Sequence, residues 1–285
     1  MNIDSGLFGR TEQLKVGAPG VDCSSKVIAN VFYEPSTRTS MSFEAAMYKL
    51  GGNVIRFQQE VSSEKKGESF EDTIRTIASY VDAIVLRHPD PTAIHLARIH
   101  SRVPVIDAGS GGGRHPTQAV LDIFTIREHH SHPRTILVMG DVRRSRTVKS
   151  LVEMGTKYFT ETQWLFCPYP GQEPTADFLK SANGGTVVSV GDLDDVLPRV
   201  DVVYATRMQR ERSVGAHVEQ EVPVEYIINT QFMEKLASTA IVMHPLPRNE
   251  EIDPSVDTDK RCVYFEQMRN GLFTRMAILE KILYY

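Results

Sequence analysis

The chain has 285 residues, 41% of them hydrophobic, with 36 acidic against 32 basic side chains and a formal net charge of -4. That size and apolar content allow two hydrophobic cores or one large one, and the slightly acidic balance offers no basic surface for general nucleic-acid binding. The apolar runs are strand-sized, as at residues 83–86, far short of a membrane span, and MNIDSGLFGR is no secretory signal. Cys23, Cys167 and Cys262 lie far apart and form an odd set, so they read as thiols in a reducing, cytoplasmic setting.

Strand-like and helical patterns alternate along the chain. KVIANVFY (26–33) reads as a strand, followed by a helical stretch ending at Gly51 and Gly52. VIRF (54–57) is a strand, FEDTIRTIASY (70–80) a helix and AIVLR (83–87) a strand. PTAIHLARIH (91–100) is helical, and PVIDAG (104–109) runs into a glycine-rich turn. PTQAVLDIFTIREHH (116–130) is a long helix with proline at its start, where the missing N–H has no partner to lose. The alternation then begins again with TILVMGD (135–141), QWLFC (163–167), TVVSV (186–190), VDVVYATR (200–207) and AIVMHPLPR (240–248). MAILEKIL (276–283) is helical. This order predicts an α/β fold of two doubly wound parallel-sheet domains joined by interdomain helices, with the C-terminal helix packing back on the first domain.

In open α/β sheets, ligands sit beyond the carboxyl ends of the strands, and the chemically loaded motifs lie there. STRTS (36–40) follows the first strand and opens a helix. A helix start offers unpaired N–H groups and partial positive charge, which suit a phosphate. Ser36, Thr37 and Thr39 add hydroxyl donors, and Arg38 adds a fork for two phosphate oxygens. An ordinary N-cap explains that segment equally well when it is taken alone. RHP (87–89) and HPTQ (115–118) fall at the ends of neighbouring strands and, with Arg38, describe a pocket for an anion bearing a polarisable carbonyl. No GxxxxGK[ST] loop is present, and MGD (139–141) lacks GxGxxG spacing, so neither a nucleoside triphosphate nor a dinucleotide is indicated. HHSH (129–132) reads as a solvated turn, and Trp164 as core.

FYEPSTRTSMSF, SSEKKGES, VLRHP, HPTQAVLDIFTI, GDVRRSRTVKSL, TRMQRER and HPLPR occur in that order across nearly the whole chain. Together they resemble the aspartate/ornithine carbamoyltransferase family, and its aspartate branch in particular. The resemblance implies a carbamoyl-phosphate-binding domain over residues 1–130, with 271–285 returning to it, and an aspartate-binding domain over 131–270. It implies a transferase of pyrimidine biosynthesis that joins carbamoyl phosphate to L-aspartate, giving N-carbamoyl-L-aspartate and phosphate without cofactor, metal or covalent intermediate.

Residue by residue, the resemblance implies that Ser36, Thr37, Arg38 and Thr39 hold the phosphate. Arg87, Thr39 and His115 would act on the carbonyl oxygen, and Gln118 would bind the carbamoyl amide. Ser62 and Lys66 would reach the neighbouring subunit's site, in a homotrimer with shared active sites. Arg146, Arg207 and Gln209 would bind the aspartate carboxylates, and the backbone of Pro245 and Leu246 the incoming amine and the carbamoyl group. Glu34, Arg146 and Arg212 resemble a charge cluster formed on domain closure. Ornithine is disfavoured, because Pro245 stands where that branch has cysteine and Arg146, Arg207 and Lys66 would repel a cationic side chain. Regulatory subunits and fusion to other pyrimidine-pathway domains both stay open, and a non-catalytic member is the rival reading.

Three departures accompany the resemblance. SGLFGRTEQLKVG, interrupted by glycines, is a poor substitute for the family's longer N-terminal helix. Ser145 stands where the family usually has glycine; at a positive φ it would strain the turn by on the order of 1 kcal/mol. Ser110 and Arg114 replace acidic or amide residues, and Arg114 beside His115 would disfavour its protonation.

Overall fold

The computed structural model describes residues 5–59, 63–209 and 222–284. The chain divides into two compact units, Met1–Leu121 with Arg269–Tyr285, and Asp122–Met268. The first contains α1 (Ser5–Lys15), β1 (Val27–Phe32), α2 (Thr37–Lys49), β2 (Asn53–Arg56), α3 (Phe70–Ala78), β3 (Ala83–His88), α4 (Ala93–His100) and β4 (Val105–Ser110), and α5 (Pro116–His129) begins in it. The second continues with β5 (Thr135–Gly140), α6 (Arg146–Tyr158), β6 (Gln163–Pro168), α7 (Ala176–Ser181), β7 (Thr186–Val187), α8 (Leu193–Val196), β8 (Val202–Thr206), α9 (Thr230–Lys235) and β9 (Ile241–Met243). Helix α10 (Tyr264–Tyr284) begins there and ends in the first unit.

The first unit holds a four-stranded sheet in the order β2-β1-β3-β4, and the second a five-stranded sheet in the order β7-β6-β5-β8-β9. Every pairing is parallel. Strands covered on both faces must be apolar throughout, which is why the interior runs of β1, β3, β5 and β8 are buried. Ala29, Val31, Ile84 and Leu86 meet Ile74 of α3 and Ile94 of α4 in the first core. Leu137, Leu165 and Val203 pack with Leu193, Phe232 and Tyr264 in the second.

The glycine-rich N-terminal segment is a helix after all. Leu7, Phe8, Thr11 and Leu14 of α1 are buried. Arg10 donates from Nε and Nη2 to the Glu280 carboxylate of α10 at 2.6 and 2.9 Å. Burial of one face and this doubled ion pair outweigh a propensity penalty of about 1 kcal/mol per interior glycine. Gly17, at φ +96°, ends the helix: its N–H bonds Leu14 O and that of Ala18 bonds Gln13 O, a Schellman closure that favours glycine. The TVVSV strand shortens to β7, because Ser189 and Asp192 cap a 3-10 turn at Val190–Asp192. Helix α10 begins well before residue 276; its earlier turns bury Gln267, Asn270 and Thr274, polar side chains that hide a helical stripe from a hydropathy reading.

Candidate functional site

In the first unit, β1 and β3 are neighbours whose following connections depart to opposite sides of the sheet, towards β2 and β4 respectively. Such a switch point leaves a crevice beyond the strand ends. Two candidate segments follow these strands, and a third follows β4. Ser36 is the N-cap of α2, extended at φ -155° and ψ 98°, yet its side chain makes no capping bond. The N-cap reading therefore explains the residue's position and not its hydroxyl. Thr37 and Arg38 follow in the first turn, both exposed, while Thr39 is buried with Oγ1 3.3 Å from Nε2 of His115. His115 is buried just before Pro116, the first residue of α5, and Gln118 is buried one turn on.

Arg87 lies near the end of β3, in register with Phe32 of β1. Its Nε is 3.2 Å from the Glu34 carboxylate. Glu34, expected in an interdomain cluster, thus has an ion-pair partner within its own unit. Lys66 is exposed on a separate 3-10 turn, Ser63–Lys66, tied to the end of β1 by a bond from the Tyr33 hydroxyl to Glu64. Ser62 and Arg212 lie outside the described residues. Ser110 is buried and donates to Asp107 Oδ2 at 3.0 Å, and the exposed Arg114 pairs with it through the backbone.

The second unit repeats the device, with its switch point between β5 and β8. Gly140 ends β5 at φ +106°, opposite Thr206; a Cβ there would sit 2.1 Å from the Thr206 carbonyl oxygen, so only glycine fits. Ser145 adopts φ -70° and ψ 110° and caps α6 by accepting from the Val148 N–H at 3.3 Å. The expected strain is absent, because the turn does not take a positive φ. Arg146 is the first residue of α6 and only 7% exposed. Arg207 and Gln209 follow β8, both half-buried, with Arg207 Nη1 bonded to the Met208 carbonyl at 3.1 Å. Pro245 and Leu246 follow β9; Leu246 is left-handed at φ +52° and precedes a cis bond to Pro247.

Two family models match, the aspartate/ornithine carbamoyltransferase carbamoyl-P binding domain over residues 6–128 and the Asp/Orn binding domain over residues 133–282. The chain belongs to the aspartate/ornithine carbamoyltransferase family. It is 42% identical over 268 residues to the aspartate carbamoyltransferase catalytic subunit of Clostridium novyi, covering 92% of this chain and 87% of that one. It is 44% identical over 260 residues to the multifunctional protein CAD of Squalus acanthias, covering 90% of this chain but only 12% of that much longer protein. Among solved structures, aspartate transcarbamoylase from Trypanosoma cruzi in complex with aspartate and phosphate superposes with a TM-score of 0.87 at 36% identity, covering 97% of this chain and 90% of that one.

For a member of this family, the structure adds residues that the motifs did not single out. Asp141 is fully buried and accepts from the N–H of Arg144 at 3.1 Å and of Gln209 at 3.0 Å, so it stitches the loop after β5 to the loop after β8. Its only signal in the sequence was an acid directly after a strand. His244 and Glu251 are both buried near the Pro245–Leu246 turn; the HPLPR motif (244–248) implied a role only for the backbone of Pro245 and Leu246. Among the described residues, no group of three or more His, Cys, Asp or Glu side chains is placed to hold a metal, and no helix is long and apolar enough to cross a membrane. His130 of the HHSH run is half-buried and 2.9 Å from the Thr239 carbonyl, a structural contact more than a solvated turn.

Proposed function

We propose that the chain transfers the carbamoyl group of carbamoyl phosphate to the amino group of L-aspartate, giving N-carbamoyl-L-aspartate and phosphate in pyrimidine biosynthesis. The observation that carries this reading is the helix start at Ser36, uncapped by its own side chain, with Arg38 in its first turn and the Thr39–His115 contact one residue on. The N–H groups, the hydroxyls of Ser36, Thr37 and Thr39 and the Arg38 fork bind the phosphate. Thr39, Arg87 and His115 donate to the carbonyl oxygen as negative charge develops on it, the work of an oxyanion hole. Gln118 binds the carbamoyl amide. The neutral amine of aspartate attacks the carbonyl carbon; the C–N bond forms, the bond from that carbon to the bridging oxygen breaks, phosphate leaves with the electron pair, and the proton shed by the amine passes to the departing phosphate. Alignment of two bound anions supplies the proximity term.

In the second unit, Arg146, Arg207 and Gln209 bind the aspartate carboxylates, where guanidinium forks favour a dicarboxylate over the cation of ornithine. The Pro245 and Leu246 backbone meets the amine and the carbamoyl group. Residues 1–130 with 271–285 serve carbamoyl phosphate, and 131–270 serve aspartate. Ser62 and Lys66 complete the site of a neighbouring subunit in a cytoplasmic homotrimer. The relatives include both a free-standing subunit and a multifunctional protein, so either context accommodates the chain.

The test is carbamoyl-aspartate formation by the purified chain, beside Arg38→Ala and with ornithine in place of aspartate. Turnover with aspartate that is lost in Arg38→Ala and absent with ornithine is expected. A folded chain with no turnover and no affinity for carbamoyl phosphate would sink the proposal in favour of a non-catalytic member.

A further inference from the structure

The turn after β9 is held by buried polar groups. His244 is fully buried. Its backbone N–H donates to Gln267 Oε1 at 2.9 Å, and Gln267 Nε2 donates to Asp122 Oδ1 at 2.7 Å. The second Asp122 oxygen accepts from the Tyr204 hydroxyl at 2.8 Å. Asp122 and Gln267 are themselves without solvent exposure, so strand β8 and helices α5 and α10 are joined to the start of the turn by a buried polar chain. Such a chain has few alternative arrangements, because every broken bond leaves a buried group unpaired.

The imidazole carries the chain onward. Nδ1 of His244 accepts from the Leu246 N–H at 2.8 Å, two residues along. An accepting Nδ1 puts the ring proton of a neutral histidine on Nε2. Nε2 faces the Glu251 carboxylate, 2.9 Å from Oε1. A carboxylate that close favours the ring proton on the nitrogen that faces it. Oε1 of Glu251 also accepts from the Asn249 N–H at 3.0 Å, which fixes the carboxylate on the far side of the turn. Burial pushes the Glu251 carboxyl up, but the His244 ring and these backbone donors outweigh it and leave it below its ordinary value, so the group is an anion at neutral pH.

The residue this arrangement fixes is Leu246, left-handed at φ +52°. A leucine there is strained by about 1–2 kcal/mol, and such a conformation persists only where its surroundings over-determine it. Here they do: the backbone N–H is claimed by the histidine ring.

We infer that His244 and Glu251 are positioning residues for the transfer reaction: the imidazole, set in its Nε2–H tautomer by the carboxylate, holds Leu246 left-handed and so aims the Pro245–Leu246 backbone at the attacking amine and the carbamoyl group. This inference rests on the proposed activity. It assigns no substrate contact to either side chain.

The two ring nitrogens can be tested separately. His244→Asn keeps an acceptor near the Nδ1 position and drops the link to Glu251, whereas His244→Gln keeps a donor near Nε2 and drops the acceptor for Leu246 N–H. With the parent chain active, His244→Gln is expected to lose about 100-fold in kcat and His244→Asn about 10-fold. KM for carbamoyl phosphate should stay within about threefold in both, because the phosphate groups belong to the first unit. Glu251→Leu leaves residue 244 in place and should lose about 10-fold in kcat, with Glu251→Gln restoring most of it. A merely structural role would lower the unfolding midpoint of all four variants and leave kcat per folded molecule unchanged. A kcat within threefold of the parent in whichever of His244→Gln and Glu251→Leu folds overturns the inference. Assignment of the His244 ring proton to Nδ1 by nitrogen NMR of the parent chain, which needs neither turnover nor a variant, overturns it as well. A parent chain that forms no carbamoyl-aspartate instead overturns the activity itself, and this inference with it.

Discussion

At the residue scale, the candidate carbonyl-oxygen site turns on one buried contact. His115 is 4% exposed, and its Nε2 meets Thr39 Oγ1 at 3.3 Å. Either group can be the donor, since the imidazole tautomer sets the roles. A neutral ring donating to the developing oxyanion is worth about 100-fold in kcat, the scale of one oxyanion-hole donor. His115→Ala should therefore lower kcat by that factor while KM for aspartate changes little, as steady-state kinetics with both substrates varied will show. A weaker affinity for carbamoyl phosphate with kcat unchanged would instead make His115 a ground-state binder. Arg87 already has Glu34 as an ion-pair partner, so its proposed contact with the carbonyl oxygen would compete with a carboxylate in place. The sequence named Thr39, Arg87 and His115, because each sits in a motif after a strand. It did not reveal that Glu34 pairs with Arg87, since a pair across two strands has no spacing signature.

At the element scale, the helices that frame the first unit are held by few but decisive groups. Phe8 of α1 is fully buried, and Arg10 of the same helix grips Glu280 of α10 with two bonds. Glu280 also accepts from the Val21 N–H at 2.8 Å, so one carboxylate gathers the end of α10, α1 and the segment after α1. Phe8→Ala should destabilise the protein by about 3–5 kcal/mol, the usual loss for a buried phenyl ring, measured by chemical denaturation. A loss below about 1 kcal/mol would mean that α1 adds nothing to the core of its unit. Glycines misled the sequence reading here, because propensity is a weak prior that tertiary burial readily overrides. Serine at 145 misled it in a similar way: the family's usual glycine suggested a positive φ, while the local N-cap demands only an extended residue with a side-chain oxygen.

At the scale of the whole molecule, the two sheets share one plan. Each is parallel, each has its switch point between two central strands, and each places arginines at or just beyond the ends of those strands. Arg38 and Arg87 belong to the first, Arg146 and Arg207 to the second, so each unit carries its own arginines for the anion it is proposed to bind. The proposed trimer with shared sites makes a direct prediction. Sedimentation equilibrium should give three times the chain mass. Lys66→Ala and Arg38→Ala should each be inactive as pure proteins, yet regain part of the parent activity when mixed under conditions that exchange subunits. Recovery requires that the two residues serve one site from different chains. No recovery from freely exchanging subunits would confine Lys66 to its own chain's chemistry.

The sequence by itself determined the α/β class, the alternation that builds two parallel sheets, and most of the groups proposed to touch substrate. Those features are local: a hydrophobic run, a turn and a charged or hydroxyl residue just after a strand are all written within a few consecutive positions. Only the tertiary structure decided what holds those groups in place. Asp141 reaches from one loop to another 68 residues away, and Gln267 meets Asp122 across 145 residues. Glu280 meets Arg10 across 270. Such pairs carry no periodicity or motif, because a polar group finds its partner through burial, and burial exists only once the chain has closed on itself.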